Sequence, residues 1–350
     1  MQVGLHPVTP DSFQGVRHAG SLSRAIQTGK VVTLFLGYDL GNSIGPRKED
    51  LMISLFSSLL QGVFLSVGLS GPVDPLDDAV VTPIPDLKIE AVPDSLPQFQ
   101  QQFSQYTAVF GVHVLATRGV PTEKVRHVAA VLAEYLDNDE DGVADDPRVV
   151  EAMAGRQMGM VLFASEREME RLDRSGIDQL GYHHLQGQFA EETKPPGEFD
   201  ATIEEVLHLV TTGYGEAYPR IFGPRPGTEL GDCLDRARGG RFGSVPRRYP
   251  EKAWFHYDDR SCDYPCMAVE YLYWALTSLL EAQADPERAR QISHEWELSS
   301  GELVRERDPW ITALLEDPKY HWATRLPDGR YGPAQGKTKK PQQDEGESLR

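Results

Sequence analysis

Cysteine is scarce, with three residues in a chain of 350. That excludes a fold stapled mainly by disulfides. Only Cys262 and Cys266, in "SCDYPC", are close enough in sequence for a local bridge, which leaves Cys233 alone. One C-x-x-x-C pair without a second is also a poor zinc motif. Basic charge is in deficit, 35 Lys and Arg against 53 Asp and Glu, for a net charge of −18. A field of that sign repels nucleic acid and anionic membranes and attracts cations, so no nucleic-acid partner is expected. The chain has no glycine loop of the phosphate-binding kind, no G-x-S-x-G elbow and no internal repeat. Nucleotide and serine-hydrolase chemistry therefore lack their usual sequence support.

What is present is enough for a core. Hydrophobic residues make up 40% of the chain, and five Trp with thirteen each of Tyr and Phe argue against general disorder. Residues 1–51 show no ordered pattern and read as an upstream extension. The stretch "MISLFSSLLQGVFLSVGLSG", residues 52–71, carries no charge but is interrupted by Ser, Gln and Gly. A spanning helix needs about 20 predominantly apolar residues, whereas a signal h-region is shorter and less uniform. Gly68 and Ser70 suit the small-residue positions of a cleavage site, so a secretory signal starting at Met52 is expected. The alternative is a membrane anchor, and membrane contact is expected only through this stretch, if it is uncleaved.

Residues 72–97 are punctuated by proline and aspartate and read as a linker. Residues 98–325 read as one folded domain, and residues 326–350, polar and rich in Pro and Gly, as a disordered tail. Within the domain, "YTAVFGVHVLAT" (106–117) reads as a strand and 122–136 as an amphipathic helix. "MVLFA" (160–164) reads as a buried strand, followed by a helix capped by Ser165 and Glu168. Helices are expected at 228–238 and from about 265 to 283. Strands first and helices later predict an α+β fold: a small strand-containing N-terminal part, then a mainly helical one.

The most specific local pattern is "YLDNDEDGVADDPRVV". Asp137, Asp139, Asp141 and Asp145 fall at positions 1, 3, 5 and 9 of a loop, with Gly142 at position 6. Alternating carboxylates around a sharp glycine turn suit Ca²⁺, and without a cation they repel one another. Over about a dozen residues the loop resembles those of EF-hands, dockerins and thrombospondin type-3 repeats, which implies bound calcium. It departs from the EF-hand at position 12, where Arg148 replaces a bidentate Glu. Asp146 or Glu151 is the substitute on offer.

The second pattern is "TIEEVLHLV", in which Ile203, Val206, Leu207 and Val210 form a buried helical stripe. Glu204 and His208, four apart, stand one above the other at its border, with Glu205 rotated a further step. This layout resembles the H-E-x-x-H helix of zincin metallopeptidases. The resemblance implies Glu204 and His208 as metal ligands, Glu205 as general base and, as in gluzincins, a later Glu as third ligand. Glu270, the one charge between Cys266 and Leu280, is that candidate. Glu in place of the first His reduces Lewis acidity and lets ions other than Zn²⁺ compete. His256, Tyr257 and Asp258 are candidates for a supporting shell. The five arginines at 236, 238, 241, 247 and 248 either grip an anionic substrate or pair with nearby acids. His113 reads as a core histidine, and His183 and His184 as an exposed loop.

Over roughly its middle two-thirds the chain also loosely resembles secreted proteins that pair such an acidic loop with an E-E-x-x-H helix. That likeness implies export and architecture, and no activity. The expectation is a secreted, calcium-binding protein with a zincin-like hydrolase site for peptides or another small polymer. The competing reading is non-catalytic: Thr202 and Glu205 form a capping box, and Glu204, His208 and Glu270 form a hydrogen-bonded core network. A metal site requires convergence in a solvent-reachable cleft, whereas a network is sealed or diverges.

Overall fold

The computed structural model describes residues 87–171 and 182–332. The upstream extension at 1–51, the hydrophobic stretch at 52–71, most of the expected linker and the tail beyond 332 lie outside the described residues. Among the described residues no helix is long and apolar enough to cross a membrane.

The fold is α+β. A four-stranded sheet runs in the order β1 (Gln105–Val109), β2 (Val112–Ala116), β3 (Met158–Phe163), β4 (His184–Phe189). The first pair is antiparallel and the other two are parallel. The stretch expected as one strand at 106–117 is thus a hairpin. Phe110 and Gly111 both adopt positive φ, 49° and 83°. That two-residue turn matches the right-handed strand twist and reverses the chain.

Strand β3 is buried along its whole length, as a strand covered on both faces must be. Its side chains alternate. Met158, Met160 and Leu162 join the main core, while Val161 and Phe163 join a smaller cluster with Phe99, Phe103 and Leu185. The short helices α1 (Pro97–Gln100) and α4 (Glu166–Arg171) belong to that smaller side. On the main side lie α2 (Thr122–Leu136), α3 (Pro147–Gly155) and α5 (Thr202–Ala217). After them come α6 (Glu229–Ala237), α7 (Tyr264–Leu279), α8 (Pro286–Ile292), α9 (Gly301–Arg307) and α10 (Pro309–Leu315).

Helix ends follow local chemistry. Asp263 caps α7 by accepting from the Cys266 N–H at 3.1 Å, with Pro265 in the first turn. Helix α6 is capped by Thr228 and closes before Gly239, as its sequence predicts. Helix α5 stops at Ala217, because Tyr218 precedes Pro219 and is pushed out of helical geometry.

The packed chain extends past the expected 98–325 at both ends. Glu90 pairs with Tyr106 and Val92 is buried, so the linker's last residues belong to the fold. At the other end the Glu134 carboxylate accepts the backbone N–H groups of Asp328, Gly329 and Arg330 at 2.8–2.9 Å. Composition alone marked that segment as tail. A buried acceptor on α2 holds it down instead.

Candidate metal centres

Helix α5 is buried on nearly all sides, packed against α2, α3, α7 and β4. Its polar side chains therefore meet other side chains and not water. Strand β4 supplies the facing polar row. His184, Gln186 and Gln188 are buried on the α5 side, alternating with Leu185 and Phe189 on the other. Gln188 Nε2 donates to Thr202 Oγ1 at 2.7 Å, and Gln186 Nε2 donates to Glu205 Oε2 at 2.6 Å. His184 is thus a strand residue, not part of an exposed loop; His183 beside it is half-exposed near Glu216.

The capping-box reading of Thr202 and Glu205 fails. Asp200 accepts the Thr202 N–H at 3.1 Å, the cap residue is Ala201, and Glu205 turns to Gln186.

Glu204, His208 and Glu270 converge, each offering a ligand atom within 4.8 Å of the others. They are 6%, 2% and 2% exposed: they converge as a metal site requires, but they are sealed, as expected of the core network, and not in a solvent-reachable cleft. His208 Nε2 lies 3.6 Å from Glu270 Oε2, and its Nδ1 lies 3.9 Å from Glu205 Oε2. Both distances exceed a hydrogen bond, and neither ring nitrogen has a hydrogen-bond partner. A buried imidazole that makes no hydrogen bond through either nitrogen, and only loose ion pairs to carboxylates, is costly as an ordinary core histidine. The Glu270 carboxylate is better supplied: Tyr257 donates to its Oε1 at 3.1 Å. Glu205 stands apart from the trio, on the Nδ1 side of the ring.

Burial, reinforced by Glu270, raises the Glu204 carboxyl to about 8, and burial holds Glu205 well above the carboxylate range. Burial alone would lower His208, yet the Glu270 carboxylate, followed by Glu205 and Glu204, raises it to about 9. Without a metal ion this layer therefore holds protons at neutral pH. These are the protons a cation would displace.

The acidic loop lies elsewhere. Asp137, Asp139 and Asp145 offer ligand atoms within 4.8 Å of one another, and Gly142 makes the turn at φ 89°. Asp141 is not in that trio: its carboxylate accepts the Val143 N–H at 2.9 Å. Asp146 caps α3 and accepts from Tyr218, while Arg148 lies 4.6 Å over the Tyr218 ring. Neither Asp146 nor Glu151 joins the trio. Burial raises the Asp137 and Asp145 carboxyls. Asp137 also accepts the Tyr331 hydroxyl at 2.5 Å, and the Asn138 side chain accepts the Thr324 and Arg325 N–H groups at 2.9 Å. The loop thereby holds the C-terminal strap. Asp139 and Asp145 line a cleft of 380 Å³, together with His321 and Arg325. None of Glu204, His208 and Glu270 lines it.

Other candidates disperse. His256 sits 3.9 Å from Glu297, and Asp258 groups with His294 and Glu295, not with His208. Arg238 is fully buried, donating to Asp235 and to the Phe242 carbonyl; Arg241 pairs with Asp235. Those two arginines serve nearby acids. The β4 polar row went unread, although its period-two alternation of polar and apolar residues was a visible signal. No family model, no curated protein and no solved structure matches the chain.

Proposed function

We propose that this protein is an exported metalloprotein with two chemically different centres: a buried site for a divalent transition ion at Glu204, His208 and Glu270, and a surface calcium site at Asp137, Asp139 and Asp145. One observation carries the first assignment. His208 is fully buried, has no hydrogen-bond partner on either nitrogen, and stands between carboxylates on both sides. An imidazole with two carboxylates suits Zn²⁺, Mn²⁺ or Fe²⁺. When bound, such an ion neutralises the two carboxylates and can act as a Lewis acid. The chain's own residues do the positioning: Tyr257 fixes Glu270, and the Glu205–Gln186 pair sits beside Nδ1 of His208.

Closure of the centre favours a structural role for it over turnover of a polymer. The zincin-like hydrolase is the second reading. Glu205, buried beside the ring on the same helical turn, supports it. Export is supported by the Cys262–Cys266 disulfide, since such bonds persist in oxidising compartments.

The test is elemental analysis of the full chain purified without chelators. About one transition ion per chain is expected, lost in His208→Ala and in Glu270→Ala. Glu204→His, which rebuilds H-E-V-L-H, should keep or gain zinc. If wild type and Glu204→His both purify without a transition ion, the buried centre is only a polar network. Glu205→Gln separates the two readings. It keeps the metal in either case, and loss of a measured peptidase activity in that metal-retaining variant would favour the hydrolase.

A further inference from the structure

A second mixed group of metal-ligating side chains comes together outside the α5–α7 layer. Asp258, His294 and Glu295 each offer an atom within 4.8 Å of the others. Backbone pairing brings them there. Phe255 and Trp296 form an antiparallel bridge, the His256 N–H donates to the Glu295 carbonyl at 2.7 Å, and the Glu297 N–H donates to that of Trp254 at 3.1 Å. Trp296 is fully buried, and its indole N–H is shared by Ser278 Oγ and the Leu298 carbonyl. The segment is therefore pinned, with Glu295 turned inward at 6% side-chain exposure and His294 outward at 46%.

The Glu295 side chain is 6% exposed and its carboxylate lies within reach of Asp258. Among the described residues no Lys or Arg forms an ion pair with either one, and His294 Nε2, at 3.6 Å from Glu295, is too far for a hydrogen bond. We propose that Asp258, His294 and Glu295 form a second divalent-cation site at the surface, distinct from the buried centre and open to solvent on the His294 side. Two carboxylates and an imidazole with room for water suit Zn²⁺ or Mn²⁺. The site does not depend on metal at His208. Tyr257 lies between the two groups: its hydroxyl holds Glu270, and the next residue is Asp258.

Equilibrium dialysis of Zn²⁺ against the full chain tests this, with millimolar Ca²⁺ present to occupy the acidic loop. His208→Gln serves as the background, because it removes the buried centre. The expected result is one remaining Zn²⁺ in that background. Adding Asp258→Asn and His294→Gln, both at exposed positions, should then weaken it at least about tenfold with an unchanged circular-dichroism spectrum. Zn²⁺ affinity that does not change with the double substitution would overturn the site and leave an ordinary His294–Glu295 contact. So would a His208→Gln chain that binds no Zn²⁺ at all. Failure of the buried centre reads differently: wild type and His208→Gln would then bind the same amount.

Discussion

Around His208, carboxylates gather where water has no access; around Asp139 they line a cleft. Both groups offer three ligand atoms within the same 4.8 Å, so spacing alone does not distinguish them. Their surroundings do. In the buried group desolvation keeps carboxyl groups protonated, neighbouring carboxylates keep one imidazole charged against the pull of burial, and the surrounding side chains come from neighbouring elements: Gln186, Tyr257 and Tyr273. In the loop the partners are backbone N–H groups of the loop itself, together with a C-terminal strap. A hard, hydrated ion suits the second environment, and a borderline ion with few waters suits the first.

The largest expected effect is on the buried side. His208→Ala leaves Glu270 sealed without its neighbouring cation, and breaking a buried pair of this kind costs about 3–5 kcal/mol. In urea unfolding the midpoint should drop accordingly, with a melting temperature lower by about 10 °C. A loss under about 1 kcal/mol would mean that the two groups are not energetically coupled.

Next comes calcium. At about a hundred times its dissociation constant, Ca²⁺ should stabilise the chain by about 2.7 kcal/mol relative to EGTA. Asp139→Ala together with Asp141→Ala should abolish that gain. Asp139→Ala alone should remove most of it, because Asp141 faces the Val143 N–H and not the trio. Amide exchange in residues 324–331 should quicken in the same variants, since Asn138, Asp137 and Glu134 hold that strap. A melting curve that is the same from EGTA to millimolar Ca²⁺ would remove the loop from the comparison.

The pH dependence is the smallest effect. Glu204, at about 8, sits above its unfolded range near 4.5, so the cost of ionising it is absent at acid pH and grows as pH rises through 8. His208, at about 9, sits above its unfolded value near 6.5; its contribution is complete below that and is lost as pH rises through 9. Chelated protein should therefore become less stable between pH 7 and 9, and bound metal should flatten the trend by displacing those protons. On the acid side His184, lowered by burial to about 4, acts in the opposite direction: its contribution is lost as pH drops from 6.5 towards 4, which offsets the gain from Glu204 over that window and leaves the trend there shallow. A metal-free chain whose stability is flat from pH 7 to 9 would show that the layer is wetter than its burial implies.

Much of this was legible in the residues. Helix α2 announced itself by its apolar period, α6 by the glycines that close it and α7 by its long apolar run, in which Glu270 is the one charge. The hairpin was not, because Phe110-Gly111 is not a common turn pair. Strand β4 hid because its inward face is polar, so that His184 read as part of an exposed loop although it, Gln186 and Gln188 are buried. The Asp258, His294 and Glu295 group depends on a bridge between segments far apart in sequence. Composition misread the strap, whose hold comes from three backbone donors meeting the buried Glu134.

Timed chelation separates the two environments in one experiment. Wild-type chain loaded with Ca²⁺ and Zn²⁺ is passed into excess EDTA, and both elements are counted over minutes to days. Calcium should leave within the dead time, whereas one zinc should stay until denaturant opens the α5–α7 layer, and that slow zinc should be missing in His208→Ala. The loss of all zinc as fast as calcium, or a slow fraction that survives His208→Ala, would contradict a sealed centre at Glu204, His208 and Glu270.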